Sequence, residues 1–200
     1  MTTMRFFMIG SWTEGMIHFE KLMPFVVSYE PASINATIYR LPIGFPVLVD
    51  QPQQKIAGQL IELHVDQTLL ALLDTFYGVR PNDPQKGLHS RSTVMAKKTS
   101  GESELAQVYF FNPKKLNSKA ELITDADWKK SLTENPPLPL QLSDKQKMYV
   151  MKLGAVKGRD IVPINDLTLY RELMKLELIV DKGRRLALSS LGKEVYNHLI

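Results

Sequence analysis

Cysteine is absent from the 200 residues of this sequence. A chain without cysteine has no disulfide framework and no thiol nucleophile. Long hydrophobic runs are absent as well, because no stretch approaches the ~18 apolar residues of a membrane span. The start, "MTTMRFFMIGSW", lacks the long apolar core and the cleavage site of a signal peptide. We therefore expect no membrane partner and a cytoplasmic location.

Histidine is scarce, and its spacing gives no metal motif. The four histidines, His18, His64, His89 and His198, lie far apart in the sequence, and cysteine ligands are absent. Neither a glycine-rich phosphate loop nor a dinucleotide fingerprint occurs. The sequence thus predicts no metal site and no cofactor.

An excess of positive charge is found only in the last part of the chain. Residues 1–142 contain 14 Lys+Arg and 14 Asp+Glu, whereas residues 143–200 contain 11 and 7, so the net +4 (11 − 7) lies entirely there. The proline-rich segment 133–142, "TENPPLPLQL", favours extended backbone and is expected to exclude helix. We interpret it as a linker or strap between a first domain, 1–132, and a second, 143–200.

The first domain is predicted to be rich in strands. The β-branched and aromatic runs "RFFMIGS", "ATIYRL", "FPVLVD", "IAGQLIEL" and "LAQVYFFN" are bounded by Gly, Pro or Asn. Two helices are predicted, "HFEKLMPFV" and "DQTLLALLDTFYG", the second beginning after a cap at Asp66 and ending at Gly78. This pattern favours the α+β class, as a compact mixed β-barrel with flanking helices.

The second domain is predicted to be a small winged-helix-like unit of helix, extended piece, helix, hairpin and closing helix. Arg184 and Arg185 fall at the hairpin tip, and Arg171 and Lys175 fall on the preceding helix. These side chains are candidates for contacts with a nucleic-acid backbone. The alternative is a solvated basic surface on a module that packs against a protein partner, since acidic residues on the same helix would repel phosphate.

The motif order in residues 5–130 resembles the γ-glutamylcyclotransferase-like family. The resemblance rests on "IGSWTEG", "ATIYRLPIGFPVLVD", "GQLIEL", "LLDTFYG", "RSTV", "AQVYFFN" and "DADWKK", in that order. The family loop has the form Tyr-Gly-Ser/Thr-Leu-x-x-Gly, so Gly10, Ser11 and Gly15 match it, while Ile9 and Trp12 replace the tyrosine and the leucine. The resemblance implies that this loop binds the ligand and that its backbone N–H groups receive a carboxylate or a developing oxyanion.

The resemblance also implies a reaction, in which the substrate's α-amine attacks its own γ-glutamyl carbonyl and closes 5-oxoproline. A glutamate with a raised pKa moves the protons. The family helix ends Leu-Asp-x-x-Glu-Gly; here Asp74 and Gly78 match, and Tyr77 stands at the catalytic glutamate position. A phenol with an ordinary pKa of about 10 is a poor base. We therefore expect a protein that binds a small molecule with a γ-glutamyl-like or carboxylate group, with Tyr77 beside the loop and with impaired catalysis.

Two other functions stay open at this point. An active cyclotransferase would need a substitute acid, for which Glu14 in the loop and Glu62 are the main candidates, with His18 and His64 as further ones. A regulator would instead bind nucleic acid or a protein partner through residues 143–200.

Overall fold

The computed structural model describes residues 2–156 and 160–200, which form two compact units. Unit 1 comprises residues 2–41 and 45–134, and unit 2 comprises residues 42–44 and 135–200. None of the helices in the described residues is both long and apolar enough to cross a membrane.

Five strands of unit 1 close into a β-barrel. They are β1 (Thr2–Met8), β2 (Val26–Arg40), β3 (Pro46–Val65), β4 (His89–Lys98) and β5 (Ser103–Phe111). The pairs β1–β3, β3–β2, β2–β4 and β4–β5 are antiparallel, and β5 closes the barrel against β1 through a parallel pairing of Phe6 with Gln107. A two-residue strand, β6 (Glu121–Leu122), adds to β2. The prediction of an α+β mixed barrel is confirmed.

Strand β3 contains most of two sequence runs, "FPVLVD" and "IAGQLIEL", that were predicted to be separate strands. It continues through Pro52, where its pairing with β2 jumps from Ala36 opposite Gln54 to Thr37 opposite Val49. A proline cannot donate to a ladder, so it is tolerated where the register is broken. The interruption at "DQPQQ" is therefore an irregularity within one 20-residue strand rather than a loop between two strands.

Three helices flank the barrel in unit 1: α1 (Phe19–Leu22), α2 (Gln67–Phe76) and α3 (Trp128–Glu134). Helix α2 begins as predicted, because the Asp66 carboxylate accepts the N–H of Leu69 at 2.8 Å. The prediction of one helix over "HFEKLMPFV" is only partly right. Four residues form α1, and a 3-10 turn over Met23–Phe25 follows, since Pro24 lacks the N–H that a continuing α-helix requires.

Two of the groups of buried side chains in unit 1 each surround a tryptophan. One surrounds Trp128, whose Nε1–H donates to the carbonyl oxygen of Ala57 at 2.7 Å. The other surrounds Trp12 and includes Ile61 and Leu63 of β3. Because side chains alternate along a strand, Glu62 lies on the opposite face of β3 from that second group.

After α4 (Leu138–Gln141), unit 2 has the predicted succession of two helices, a hairpin and a closing helix. These elements are α5 (Asp144–Ala155), α6 (Leu167–Lys175), β7 (Ile179–Asp181), β8 (Leu186–Leu188) and α7 (Ser190–Leu199). Ser143 and Gln146 form a capping box at the start of α5, and Asp166 caps α6. The extended piece "DIVPI" forms no strand with the described residues. The winged-helix assignment stays a prediction.

The proline-rich segment 133–142 contains a helix, contrary to the prediction from the sequence. Its residues Leu138–Gln141 form α4, although the three prolines were expected to exclude helix. Pro139 falls in the first turn of α4, where its missing N–H would have no intrahelical partner. The N–H of Leu138 donates to the carbonyl oxygen of Ile43 at 2.9 Å, and both residues belong to unit 2.

Two histidines of unit 1 are buried in the neutral form. Only 4% of His18 is exposed, and burial, with a smaller effect of Lys21, lowers its pKa to about 4. Only 8% of His89 is exposed, and burial lowers its pKa to about 4 even though its Nδ1 lies 2.7 Å from the carbonyl oxygen of Tyr77. The folded protein therefore binds these two protons far less readily than the unfolded chain does.

We predict that the free energy of unfolding falls as the pH is lowered from about 6.5 to about 4. The unfolded histidines take up protons with an ordinary pKa of about 6.5, whereas the folded ones do not. Each pKa unit corresponds to about 1.4 kcal/mol, so a buried histidine contributes a loss of order 3 kcal/mol across this window. Urea unfolding at several pH values measures the effect.

His89→Asn is the informative variant, because an amide N–H can replace the Nδ1 donor without titrating. It should reduce the pH slope relative to the wild type. Equal slopes for the wild type and His89→Asn would contradict the prediction.

We also predict the place of cleavage between the domains assigned from the sequence. Residues 133–136 are exposed, whereas Pro137, Pro139 and Leu142 are buried. Limited proteolysis should therefore cut at 133–136 and spare 137–142, and mass spectrometry of the fragments locates the cut. Rapid cleavage between Leu138 and Leu142 would instead mean that the whole segment is a free linker.

Candidate functional site

The loop after β1 turns sharply at a glycine. Residues Gly10–Trp12 form a 3-10 turn in which Gly10 has φ +65°, a left-handed conformation that favours glycine. A Cβ at Gly10 would lie 3.3 Å from Cγ of Pro46, so space is restricted as well. The left-handed backbone and the close approach of Pro46 thus both favour glycine at position 10.

Hydrogen bonds hold this loop against the barrel. The Thr13 hydroxyl donates to the carbonyl oxygen of Gly10 at 2.8 Å, and the N–H of Glu14 donates to Oε1 of Gln59 at 2.8 Å. Within residues 2–156 and 160–200, the N–H groups of Gly10 and Ser11 take part in none of the hydrogen bonds. Both residues are buried, so these two donors are unpaired within the described residues and enclosed by the fold.

The end of α2 fixes the position of Tyr77. The N–H of Gly78 donates to the Thr75 carbonyl at 3.0 Å, and the N–H of Val79 donates to the Asp74 carbonyl at 2.8 Å. With Gly78 at φ +62°, these two bonds form a Schellman motif. Tyr77 is the C-cap residue, so its side chain leaves the helix where the chain changes direction.

Tyr77 belongs to a cluster of rings that also reaches the loop. Its ring stacks on Tyr109 with 4.0 Å between centroids and meets the edges of Phe76 at 5.2 Å and His89 at 5.1 Å. Phe76 in turn lies 4.9 Å from the indole of Trp12. The structure therefore joins the predicted loop and Tyr77 through Phe76. We call the following residues the aromatic cluster: Trp12, His18, Phe76, Tyr77, His89 and Tyr109.

Both phenols of the aromatic cluster are held in the protonated form. Burial raises the pKa of Tyr77 well above its ordinary value of about 10. Burial also raises the pKa of Tyr109, and the hydrogen bond that its hydroxyl donates to Asp74 raises it further. At neutral pH each hydroxyl keeps its proton and can donate a hydrogen bond.

Asp74 is bound by side chains from two strands. The Tyr109 hydroxyl donates to Oδ1 at 2.8 Å, and Nε of Arg91 donates to the same oxygen at 3.1 Å. Nη1 of Arg91 also donates to Oε1 of Gln107 at 3.3 Å. The carboxylate of Asp74 therefore fastens α2 to β4 and β5.

Glu14, one candidate substitute acid, is exposed on the loop. Its Oε1 accepts a hydrogen bond of 2.5 Å from the hydroxyl of Tyr29, and this bond raises the pKa of the phenol. Glu14 is thus placed in the loop as the sequence suggests, but its carboxylate is bound by a residue outside the aromatic cluster.

Glu62, the other candidate, lies on the face of β3 opposite Ile61 and Leu63. It forms an ion pair of 3.3 Å with Arg5 and accepts a hydrogen bond of 3.2 Å from the Ser28 hydroxyl. The aromatic cluster packs with the Ile61 and Leu63 side of the strand. The structure therefore does not bring Glu62 together with Tyr77.

Tyr109 and Arg91 are site residues that the sequence alone does not single out. They are paired directly across β4 and β5, so their side chains meet at Asp74. The strands themselves were recognised in the sequence as "RSTV" and "AQVYFFN". The sequence did not give the register of these two strands. Only the register shows that Arg91 and Tyr109 share one side of the barrel.

The candidate nucleic-acid residues lie in unit 2. Arg171 and Lys175 are exposed on α6, and Arg184 and Arg185 are exposed in the turn between β7 and β8. No group of three or more His, Asp or Glu side chains in the described part of the chain is arranged to hold a metal ion.

Comparisons with known proteins match this geometry to a family. A sequence model of the family described as gamma-glutamyl cyclotransferase, AIG2-like, matches residues 6–130. A search of curated proteins finds no match. YkqA from Bacillus subtilis is a similar solved structure, with a TM-score of 0.50 and 19% identity over 66% of this chain and 42% of YkqA. This chain therefore spans less than half of that protein.

Two further structures show weaker similarity. An AIG2-like protein from Mus musculus has a TM-score of 0.45 and 15% identity, over 57% of this chain and 82% of the mouse protein. A gamma-glutamyl cyclotransferase has a TM-score of 0.41 and 15% identity, over 87% of this chain and 99% of its own.

The family match covers more than half of the chain. It includes the Gly10–Ser11 loop, the barrel strands and the end of α2. The chain therefore belongs to the gamma-glutamyl cyclotransferase, AIG2-like family.

Proposed function

We propose that this chain binds a small molecule with a γ-glutamyl-like or carboxylate group and has little or no cyclotransferase activity. The observation that supports the proposal is Tyr77, which stands where the motif Leu-Asp-x-x-Glu-Gly has its glutamate. Its ring stacks on Tyr109, and the Asp74 carboxylate at the same helix end is bound by Arg91 and Tyr109.

Proton transfer is the step that this residue affects. Closure of 5-oxoproline needs a group that takes a proton from the attacking ammonium and returns one to the leaving nitrogen. The raised pKa of Tyr77 keeps the phenol protonated at neutral pH, so it cannot take that proton. It can still donate a hydrogen bond to a ligand oxygen, which supports binding.

His18 is another candidate base in the aromatic cluster, and it was singled out in the sequence. Its ring lies 5.0 Å from both Trp12 and Phe76. Efficient general bases have a pKa near the working pH. A pKa of about 4 makes the imidazole a weak proton acceptor at neutral pH, so His18 is a poor replacement for the glutamate.

An active enzyme that uses Glu14 or Glu62 is the alternative. Glu14 is better placed, because its N–H is bound to Gln59 and its backbone is part of the ligand loop. Both carboxylates are nevertheless engaged by groups outside the aromatic cluster, Tyr29 for Glu14 and Arg5 for Glu62. Binding without efficient turnover is therefore the better-supported function.

We predict that the wild type releases 5-oxoproline from γ-L-glutamyl-L-alanine at a rate near the uncatalysed background. Positioned acid–base groups typically contribute ~10² to 10⁴-fold. Tyr77→Glu should raise the rate measurably, although by less than that range, because the surrounding rings are arranged for a phenol. Chromatographic quantification of 5-oxoproline gives the rate.

Tyr77→Phe is the matched control and tests binding. It keeps the ring that stacks on Tyr109 and removes only the hydroxyl, so the affinity for the dipeptide should fall if the phenol contacts the ligand. Rapid 5-oxoproline release by the wild type would contradict impaired catalysis. Loss of that release in Glu14→Gln or Glu62→Gln would then identify the substitute acid.

The hairpin of unit 2 favours a second candidate function, binding of nucleic acid. Its turn is defined by a bond of 2.7 Å from the N–H of Gly183 to Oδ1 of Asp181 and by one of 2.9 Å from the N–H of Lys182 to the carbonyl of Arg185. The turn thus presents Lys182, Arg184 and Arg185 at an exposed tip. Cations on such a tip can contact phosphates.

Helix α6 gives the competing argument for a protein partner. Its exposed residues include Glu172 as well as Arg171 and Lys175, so the face is of mixed charge. Glu172 also accepts a hydrogen bond of 3.0 Å from the side chain of Gln146 on α5. A mixed-charge face suits a protein surface better than a phosphate backbone.

We predict for the nucleic-acid alternative that Arg184→Ala with Arg185→Ala weakens binding of the full chain to duplex DNA about equally for all sequences. The slope of log affinity against log salt should flatten by about 0.9 for each phosphate that the variant no longer touches. Arg184→Lys with Arg185→Lys keeps the charge and should retain most of the binding. Absence of wild-type binding at low salt would exclude nucleic acid and leave a protein partner.

A further inference from the structure

The two tryptophans of the chain differ in how their indole N–H groups are satisfied. Trp128 is 2% exposed and its Nε1–H donates to the carbonyl oxygen of Ala57 at 2.7 Å. Trp12 is 1% exposed, and its Nε1 is buried with no hydrogen-bond partner among the described residues. A buried indole N–H usually has an acceptor, so the arrangement at Trp12 requires an explanation.

The position of Trp12 indicates what kind of acceptor is missing. Trp12 is the last residue of the 3-10 turn that begins at Gly10, and its ring meets the edge of Phe76 at 4.9 Å. Phe76 precedes Tyr77 in the chain and contacts its ring at 5.2 Å. The indole that carries the unpaired donor therefore belongs to the loop and is linked through Phe76 to the residue at the glutamate position.

We propose that the Nε1–H of Trp12 is a specificity-determining donor that receives an oxygen of the ligand, either a carboxylate or an amide carbonyl. This proposal rests on the ligand-binding function proposed above. Trp12 stands where the family loop has a leucine, which offers no donor, so the chain would add a hydrogen bond at this point. The preferred ligand has an acceptor oxygen within reach of both the loop and the indole.

Because Nε1 of Trp12 is buried, a ligand can reach it only if the surrounding side chains move. Phe76 is half-buried at the last position of α2, whereas Trp12 itself is enclosed. The ring of His18 also packs on the indole, at 5.0 Å. Under the proposal, ligand entry changes the surroundings of the indole, which tryptophan fluorescence reports.

The experiment compares the full-length wild type with variants at both tryptophans. The probe is γ-L-glutamyl-L-alanine, and binding is measured by calorimetry and by fluorescence. Replacing Trp12 by 3-benzothienylalanine keeps the ring size and exchanges the N–H for sulfur, so the affinity should fall by about tenfold or more, as expected for the loss of a hydrogen bond to a charged acceptor. Trp12→Phe should show at least the same loss.

Trp128→Phe is the matched control for removing a tryptophan. In this variant Trp12 is the only tryptophan, so the fluorescence change on binding should persist, and the affinity should be close to that of the wild type. The free protein gives a second readout. Trp128→Phe loses an existing hydrogen bond, whereas the benzothienylalanine replacement at Trp12 loses none and should leave the denaturation midpoint unchanged.

The possible failures are distinguishable. If the wild type and Trp128→Phe bind neither γ-L-glutamyl-L-alanine nor 5-oxoproline, the proposed ligand class is wrong and the inference on Trp12 is wrong with it. If both bind and the benzothienylalanine protein binds equally well, only the inference on Trp12 is overturned. A lowered denaturation midpoint of that protein without ligand would show that an internal water already satisfies the donor, and this too would overturn the inference.

Discussion

The contact between Tyr77 and Tyr109 is the constraint on which the candidate site depends. Tyr109 stacks on Tyr77 at 4.0 Å, and its hydroxyl donates to Asp74 at 2.8 Å. Asp74 and Tyr77 lie one turn apart at the end of α2, so a single β5 side chain holds the helix end at two points. Arg91 of β4 adds a third contact, at 3.1 Å from Asp74. The residue at the glutamate position therefore has little freedom to move relative to the barrel.

Two of the departures from the family motifs are linked in space by one ring. Trp12 replaces the leucine of the loop, Tyr77 replaces the glutamate of the helix end, and Phe76 touches both rings, at 4.9 Å and 5.2 Å. A carboxylate in place of the Tyr77 phenol would be surrounded by aromatic carbon, and burial of a charge without a partner is costly. The rings around position 77 are thus adapted to a neutral side chain.

Local sequence signals predicted the elements that position the site, but not how they meet. The cap at Asp66 and the glycine at position 78 gave the limits of α2, because capping and left-handed residues act within a few positions. The contact of Tyr109 with Asp74 depends on the register of β4 and β5 and on barrel closure, which no short segment encodes. The prolines were interpreted as interruptions of regular structure, but their positions within the elements allow it. Pro52 lies at a register break within β3, and Pro139 lies in the first turn of α4.

The donors of the candidate site support the proposed binding of an oxygen ligand rather than proton transfer. The N–H groups of Gly10 and Ser11, the indole N–H of Trp12 and the protonated phenol of Tyr77 are all donors. The carboxylate of Asp74, by contrast, is already bound by Arg91 and Tyr109. Since none of the four donors has a net charge, a ligand carboxylate would be held by fixed dipoles at short range rather than by an ion pair. Under the proposed function, the site would select ligands by the geometry of their acceptor oxygens, and salt would screen it less than it screens exposed charges.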